Sequence, residues 1–357
     1  MTPFFVAIFL LGLSSLATAA NFTQVFEWIE LDFEWPSEAS RTQALEDGTY
    51  KPAKIYPRYM AVHGTRIFLS LYKNSGIPAT LVSLPTSSAS SAPPKLTPFP
   101  SLDLHLNESG NCEKIHTAEG LQVDSVGRLW VLDEGSFKCN TKLRIFDLYN
   151  SETEIIHRFS FHGKMHDLVI DETANGTFAY IAWWSDTNIV AFSLEKNESW
   201  IVDTPGVEVL SIALSPKEEP RQLYLGEFYN DLLYSISVAA LRNGTRTAEP
   251  ELIGNWTGTP YRMLVDNHGT LHAAILSEDY ASSWNTSREP FQEQRFYEVA
   301  GLDYTWPFTF ALDQNGTLWM TVLDDAKTPR FRILKAKSYI FEDSPECSGS
   351  CPKSDTA

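Results

Sequence analysis

The chain has 357 residues, of which 43% are hydrophobic and 13% aromatic, and it carries a formal net charge of −17. That acidity argues against nucleic acid as a partner, because phosphates would be repelled. The four cysteines include no C-x-x-C pair, which argues against a thiolate metal centre.

The chain opens on PFFVAIFLLGLSSLA (3–17), an uncharged apolar run followed by the small residues Ala17, Thr18, Ala19 and Ala20. This is the pattern of a cleaved secretory signal peptide, expected over 1–20. No later stretch approaches the roughly 18 apolar residues of a membrane helix, so no membrane span is expected. Secretion, or the secretory lumen, is the predicted location. Eight N-x-S/T sequons, at Asn21, Asn107, Asn175, Asn197, Asn243, Asn255, Asn285 and Asn315, predict N-linked glycans. In that oxidising compartment four cysteines allow three pairings. Cys112–Cys139 with Cys347–Cys351 is the expected set, although Cys347 and Cys351 in an exposed tail could also remain free thiols.

The fold follows from an internal repeat. A short apolar strand, an Asp, a Gly-containing turn and a second apolar strand recur as LQVDSVGRLWVLD (121–133), LVIDETANGTFAYIAWW (168–184), MLVDNHGTLHAAIL (263–276) and FALDQNGTLWMTVL (310–323). Variants at 60–72 and 211–228 place His63 and Ser215 at the Asp position. The anchors 63, 124, 171, 215, 266 and 313 are spaced by 61, 47, 44, 51 and 47 residues, close to the roughly 40–50 residues of a four-stranded propeller blade. The expectation is an all-β, six-bladed β-propeller of four-stranded antiparallel blades spanning 21–345, with a C-terminal tail at 346–357. KLRIFDL (142–148) and NIVAFSL (188–194) read as outer strands. The alternating FEWIELDF (26–33) should close the ring by joining the last blade beside KSYIF (337–341). No extended helical periodicity is visible, and SVAALRNG (237–244) reads as a short turn.

Asp124, Asp171, Asp266 and Asp313 read as turn formers, since Asp bonds turn backbone and Gly supplies positive φ. Trp130 and Trp319 read as blade packing. The functional positions are expected at the opposite end of the inner strands, which line the channel. Five residues before each anchor stand Arg58, Glu119, His166, Leu210, Tyr261 and Phe308. Near the ends of the second strands stand Asp133, Glu134, Trp183, Trp184, Asp186, Glu227, Phe228, Glu278, Asp324 and Asp325. Together they predict a pocket polar on one side and apolar on the other, the form of a small-molecule site. Arg58, Glu119 and His166 are the candidate catalytic residues, with Glu119 or His166 as acid or base. Tyr261, Phe308, Leu210, Trp183, Trp184, Asp133 and Phe228 are the candidate substrate contacts. The competing expectation is that Arg58 and Glu119 form an ion pair that plugs the channel.

Other chemistries lack their signatures. There is no G-x-S-x-G elbow, H-E-x-x-H motif or phosphate-cradling glycine loop. His162, His166 and Asp167 lie close enough in sequence to be metal ligands but read as scattered surface polar residues. No metal and no cofactor are expected.

Several segments carry a family resemblance. FEWIELDFEWPSEASRTQALEDGTY (26–50), NSGIPATLVSL (74–84), KLTPFPS (95–101), GLQVDSVGRLWVLDEG (120–135), CNTKLRIFDL (139–148) and ALSPKEEPRQLYLGEFYNDLLYSISVAALRNG (213–244) resemble the yellow/major royal jelly protein family. The resemblance covers nearly the whole mature chain. It implies a six-bladed propeller and a disulfide between Cys112 and Cys139. Some family members bind biogenic amines in the channel, others are linked to dopachrome conversion, and others are food or structural proteins. The compact length and the KLTPFPS segment are also similar to fungal relatives, and fungal propellers of this general kind include hetero-Diels–Alderases of secondary metabolism. One departure concerns amine binding: where the family's last blade carries an amine-holding Asn, this chain has Leu323 in LWMTVLDD.

The expected function is binding of a small aromatic or quinoid molecule in the channel, with cofactor-free isomerisation or cyclisation. The alternative is a secreted carrier of a biogenic amine-like ligand, without catalysis.

Overall fold

The structure, a computed structural model, describes residues 22–337 apart from 106–109, 162, 185 and 289. The expected signal peptide, the Cys347–Cys351 pair, the C-terminal tail, His162 and the sequons at Asn21 and Asn107 lie outside the described residues.

Six four-stranded antiparallel sheets are present, each with its strands in simple up-and-down order. Blade 1 begins with the inner strand Pro57–His63, blade 2 with Ala118–Val123 and blade 3 with Met165–Thr173. Blades 4, 5 and 6 begin with Val209–Leu214, Pro260–Val265 and Phe308–Leu312. Each inner strand contacts the inner strands of the two adjacent blades, and blade 6 contacts blade 1, so the ring closes. Most inner-strand residues are buried, and six apolar clusters fill the spaces in and between the blades.

Closure uses the N-terminal segment as expected, but the strand is Phe22–Trp28, so only 26–28 of the expected 26–33 take part. Phe22–Trp28 forms the outermost strand of blade 6, pairing antiparallel with Phe331–Ala336 so that Phe26 faces Ile333 and Trp28 faces Phe331. The partner is thus FRILKA rather than KSYIF, most of which lies outside the described residues. This register gives an edge strand a partner from the other end of the chain, removing unpaired backbone groups.

The turn chemistry is visible in detail. Asp124 accepts from the backbone N–H groups of Val126 and Arg128, Asp266 from His268 and Thr270, and Asp313 from Asn315 and Thr317. The second carboxylate oxygen of each bonds the ring six residues on: the indoles of Trp130 and Trp319 donate to Asp124 and Asp313, and His272 Nε2 bonds Asp266. Each Asp therefore ties its turn to the middle of the second strand. Asp171 departs from its expected role. It lies inside a longer inner strand, is fully buried, and accepts from the Tyr180 hydroxyl and the guanidinium groups of Arg221 and Arg242. The blade 3 turn falls instead at Thr173–Gly176.

Two helices are present where no extended periodicity was read. Glu38–Glu46 forms a nine-residue helix started by a Ser37–Ser40 capping box, and only Ala44 in it is buried. A helix with so small an apolar face leaves little periodic signal, and its cap is what starts it. Val238–Arg242 is a single short helix. Cys112 and Cys139 are joined by a disulfide. Of the described sequons, Asn175, Asn197, Asn243, Asn255 and Asn315 are exposed and Asn285 is half-buried.

Candidate functional site at the channel mouth

The positions five residues before the anchors share a backbone feature. The pairing between inner and second strand breaks register between Pro57 and Tyr59, Ala118 and Leu121, Met165 and Asp167, Val209 and Ser211, and Pro260 and Arg262. The skipped residues are Arg58, Glu119 with Gly120, His166, Leu210 and Tyr261. A bulge leaves its residue out of the ladder and re-aims its side chain. Blade 6 alone keeps a regular ladder, with Phe308 opposite Val322.

The three polar residues come together. Arg58 Nη2 lies 3.8 Å from Glu119 Oε2, with both side chains almost wholly buried. Gly120 allows the approach of blades 2 and 3, since a Cβ there would lie 2.8 Å from the His166 carbonyl oxygen. His166 is 3% exposed, and neither of its ring nitrogens has a hydrogen-bond partner. Glu119 Oε2 and Arg58 Nε also lack one.

An aromatic box surrounds this cluster. The Arg58 guanidinium sits 4.7 Å from the Trp306 ring centre, 5.3 Å from Tyr72 and 6.0 Å from Trp184. Trp184 packs edge-on to His166 at 5.0 Å, and meets Phe228 at 5.6 Å and Trp306 at 5.8 Å. Tyr72, Trp184, Phe228 and Trp306 all retain exposure. The mouth is therefore an aromatic rim over a polar floor.

Burial dominates the electrostatics. It holds the His166 imidazole well below its ordinary range, and the positive charges of Arg262 and Arg58 push the same way, so the ring is neutral. Burial raises the Glu119 carboxyl, opposed by Arg58 and Arg262. Burial also raises Glu134, and the nearby Glu119 charge adds to the effect.

The remaining expected contacts divide. Trp184 and Phe228 join the site. Leu210, Tyr261 and Phe308 pack together in a buried cluster. The Tyr261 hydroxyl is committed to the backbone, donating to the Phe308 carbonyl at 2.7 Å and accepting from the Phe308 N–H at 2.6 Å. Trp183 stacks on Phe161, with ring centres 5.3 Å apart, in the core of blades 2 and 3. Asp133 turns inward at 0% exposure, accepting from the N–H groups of His116, Thr117 and Gly135 and pairing with Lys142 at 2.9 Å. Strand alternation explains these last two: one residue's difference in register sends a side chain to the other face of the blade. Leu323 packs in the apolar cluster that includes Trp28, Phe331 and Ile333.

A second polar layer stands four residues before the anchors and was not anticipated as a layer. Tyr59, Asp167 and Arg262 belong to it, and the same count along the repeat would have found them. His166 and Asp167, expected at the surface, are both buried because they lie on the inner strand of blade 3. The Arg262 guanidinium lies 3.5 Å from the Tyr59 ring centre. Its Nη1 and Nε donate to the carbonyls of Tyr261 at 2.8 Å and Arg58 at 3.3 Å. Asp167 accepts from the Leu168 and Ile212 N–H groups, both at 3.0 Å, and burial pushes its pKa up to about 6 against the pull of Arg262. Trp306 was also missed, because it comes from the loop before blade 6, outside the repeat. Among the described residues no group of three or more His, Cys, Asp or Glu is placed to hold a metal ion, and no helix is long and apolar enough to cross a membrane.

Comparison with known proteins agrees with this architecture. The family model for major royal jelly protein matches residues 116–208. Protein yellow of Drosophila melanogaster is 25% identical over 348 aligned residues, covering 83% of this chain and 63% of that protein. Protein yellow of Drosophila yakuba is also 25% identical, covering 90% of this chain and 70% of its own length. The chain thus spans less than two thirds of the first of these relatives. Among solved structures, a luciferin-regenerating enzyme superposes with a TM-score of 0.51 at 11% identity, covering 83% of this chain and 94% of that one, a likeness of fold alone. With repeat, blade count and ring closure in agreement, this chain is a six-bladed β-propeller, and its relatives make it similar to the yellow/major royal jelly protein family.

Proposed function

We propose that this protein is secreted, binds a small aromatic or quinoid molecule at the bulged end of the channel, and converts it by a cofactor-free isomerisation or cyclisation of the kind used in secondary metabolism. The observation that carries this reading is His166: a buried, neutral imidazole with both nitrogens unpartnered, set between an arginine–glutamate pair and a tryptophan. A neutral imidazole accepts a proton. In a tautomerisation His166 takes a proton from a carbon next to the carbonyl, while Arg58, held in place by the Glu119 carboxylate, stabilises the charge that develops on oxygen. The proton then returns at the new position, so atoms and electrons balance without a cofactor. Trp184, Trp306 and Phe228 offer faces on which a flat ring stacks, and orientation of this sort contributes on the order of 7–11 kcal/mol at best.

The carrier reading for a cationic amine is disfavoured by charge. The rings that would cage a cation already surround the Arg58 guanidinium, and Arg262 adds a second positive charge nearby.

Dopachrome serves as the test substrate, followed by loss of its quinoid absorbance. Turnover by the wild type that falls at least about tenfold in His166→Ala and in Glu119→Gln is the expected result, as for loss of a general acid or base. Turnover unchanged in both variants would sink the catalytic assignment. A rise in melting temperature with dopamine, without turnover, would favour the carrier.

A further inference from the structure

The channel also holds a space away from the bulged mouth. A cavity of about 670 Å³ occupies the opposite, turn-side half, within the range of small-molecule sites. Its inner end is formed by Tyr59, Asp167 and Arg262, and its walls by Met60, Leu121, Leu168, Ile212, Met263 and Phe310. Arg58, Glu119 and His166 do not line it.

We infer that this turn-side half is a second binding site, for an elongated, uncharged apolar molecule that carries a carbonyl group at its inserted end. The inner end offers hydrogen-bond donors. The Tyr59 hydroxyl is buried and unpartnered, on a residue 5% exposed, and the Arg262 guanidinium lies against the same ring. A donor pair at the end of a channel walled by apolar side chains and edged by carboxylates calls for an acceptor oxygen on an otherwise apolar molecule. The rim sets the charge. Asp124, Glu172, Glu218, Asp266 and Asp313 line the outer part. Arg128 offsets Asp124 at 2.7 Å, Lys217 offsets Glu172 at 3.5 Å and Lys335 lies 3.6 Å from Asp313, so the rim stays net negative through Glu218 and Asp266. A carboxylate entering would pass a ring of like charge, whereas a ketone would not.

The test uses the purified chain and two probes of equal length, the methyl ketone undecanone and the carboxylate undecanoate, in isothermal titration at low salt. The ketone is expected to bind and the carboxylate to bind at least tenfold more weakly. Tyr59→Phe keeps the volume of the ring and removes the donor, and about a fivefold loss of ketone affinity is expected with an unchanged melting temperature. Glu218→Lys, at the exposed rim, is expected to strengthen carboxylate binding and leave the ketone unaffected. Absence of ketone binding, preference for the carboxylate, or equal ketone affinity in Tyr59→Phe would each overturn the inference. The dopachrome assay reports on the bulged mouth alone, so either proposal can fail without the other.

Discussion

The guanidinium of Arg262 rests 3.5 Å from the centre of the Tyr59 ring, and this contact lies between the polar cluster above and the cavity below. Arg262 also bonds the carbonyls of Arg58 and Tyr261 and faces Asp167. Replacing it by Met removes a cation–π contact and the positive charge that offsets buried carboxylates. A loss of about 2–4 kcal/mol in urea unfolding is expected. A loss below about 0.5 kcal/mol, the scale of an ordinary surface change, would show that the contact is incidental.

The Arg58–Glu119 pair predicts strong coupling. Removing either charge strands the other in a buried site, so Arg58→Met and Glu119→Leu are each expected to cost about 3 kcal/mol or more. The double variant leaves no orphaned charge and should cost less than the sum, by about 1–3 kcal/mol. Additive losses in the four-protein cycle would contradict the pairing.

Asp167 gives a pH signature. Its folded pKa of about 6 stands above the ordinary 3.8. The folded state therefore holds the proton more tightly. The stabilisation is complete below about pH 4 and is lost as pH rises through about 6. Asp167→Asn lacks this titration, so its stability should gain on the wild type between about pH 4 and 7, by on the order of 3 kcal/mol. Parallel stability curves for the two proteins would refute the assignment.

The Cys112–Cys139 bridge spans a sequence separation of 27 residues. Loop-closure entropy for that length predicts a loss of about 3–4 kcal/mol on replacing both cysteines by Ser. Calorimetry or denaturant unfolding reads this directly.

The aspartates of the repeat are predicted to differ. Asp124→Ala and Asp313→Ala each remove a turn and an indole bond, at a cost of about 2–3 kcal/mol. Asp171→Ala leaves Arg221 buried at 7% exposure without its carboxylate partner, and should cost about 3–5 kcal/mol. Equal losses at all three would mean that Asp171 belongs with the turns after all.

The sequence alone determined the blade count, the antiparallel hairpins and the closure by the N-terminal strand, because strand alternation and Asp-Gly turns are local and recur at a readable period. It also marked Arg58, Glu119 and His166, since a fixed offset from the turn keeps residues at one level of the channel. Only the tertiary structure showed that these positions are bulged, that Arg58 reaches Glu119 across two blades, and that Trp306 arrives from a loop with no place in the repeat. It sent Asp133 and Trp183 into the blades and placed a cavity at the far end, where Tyr59, Asp167 and Arg262 meet. The reason is physical: a repeat period assigns depth along each strand, but which way a side chain turns at a bulge, and what it meets there, depends on neighbouring blades distant in the chain.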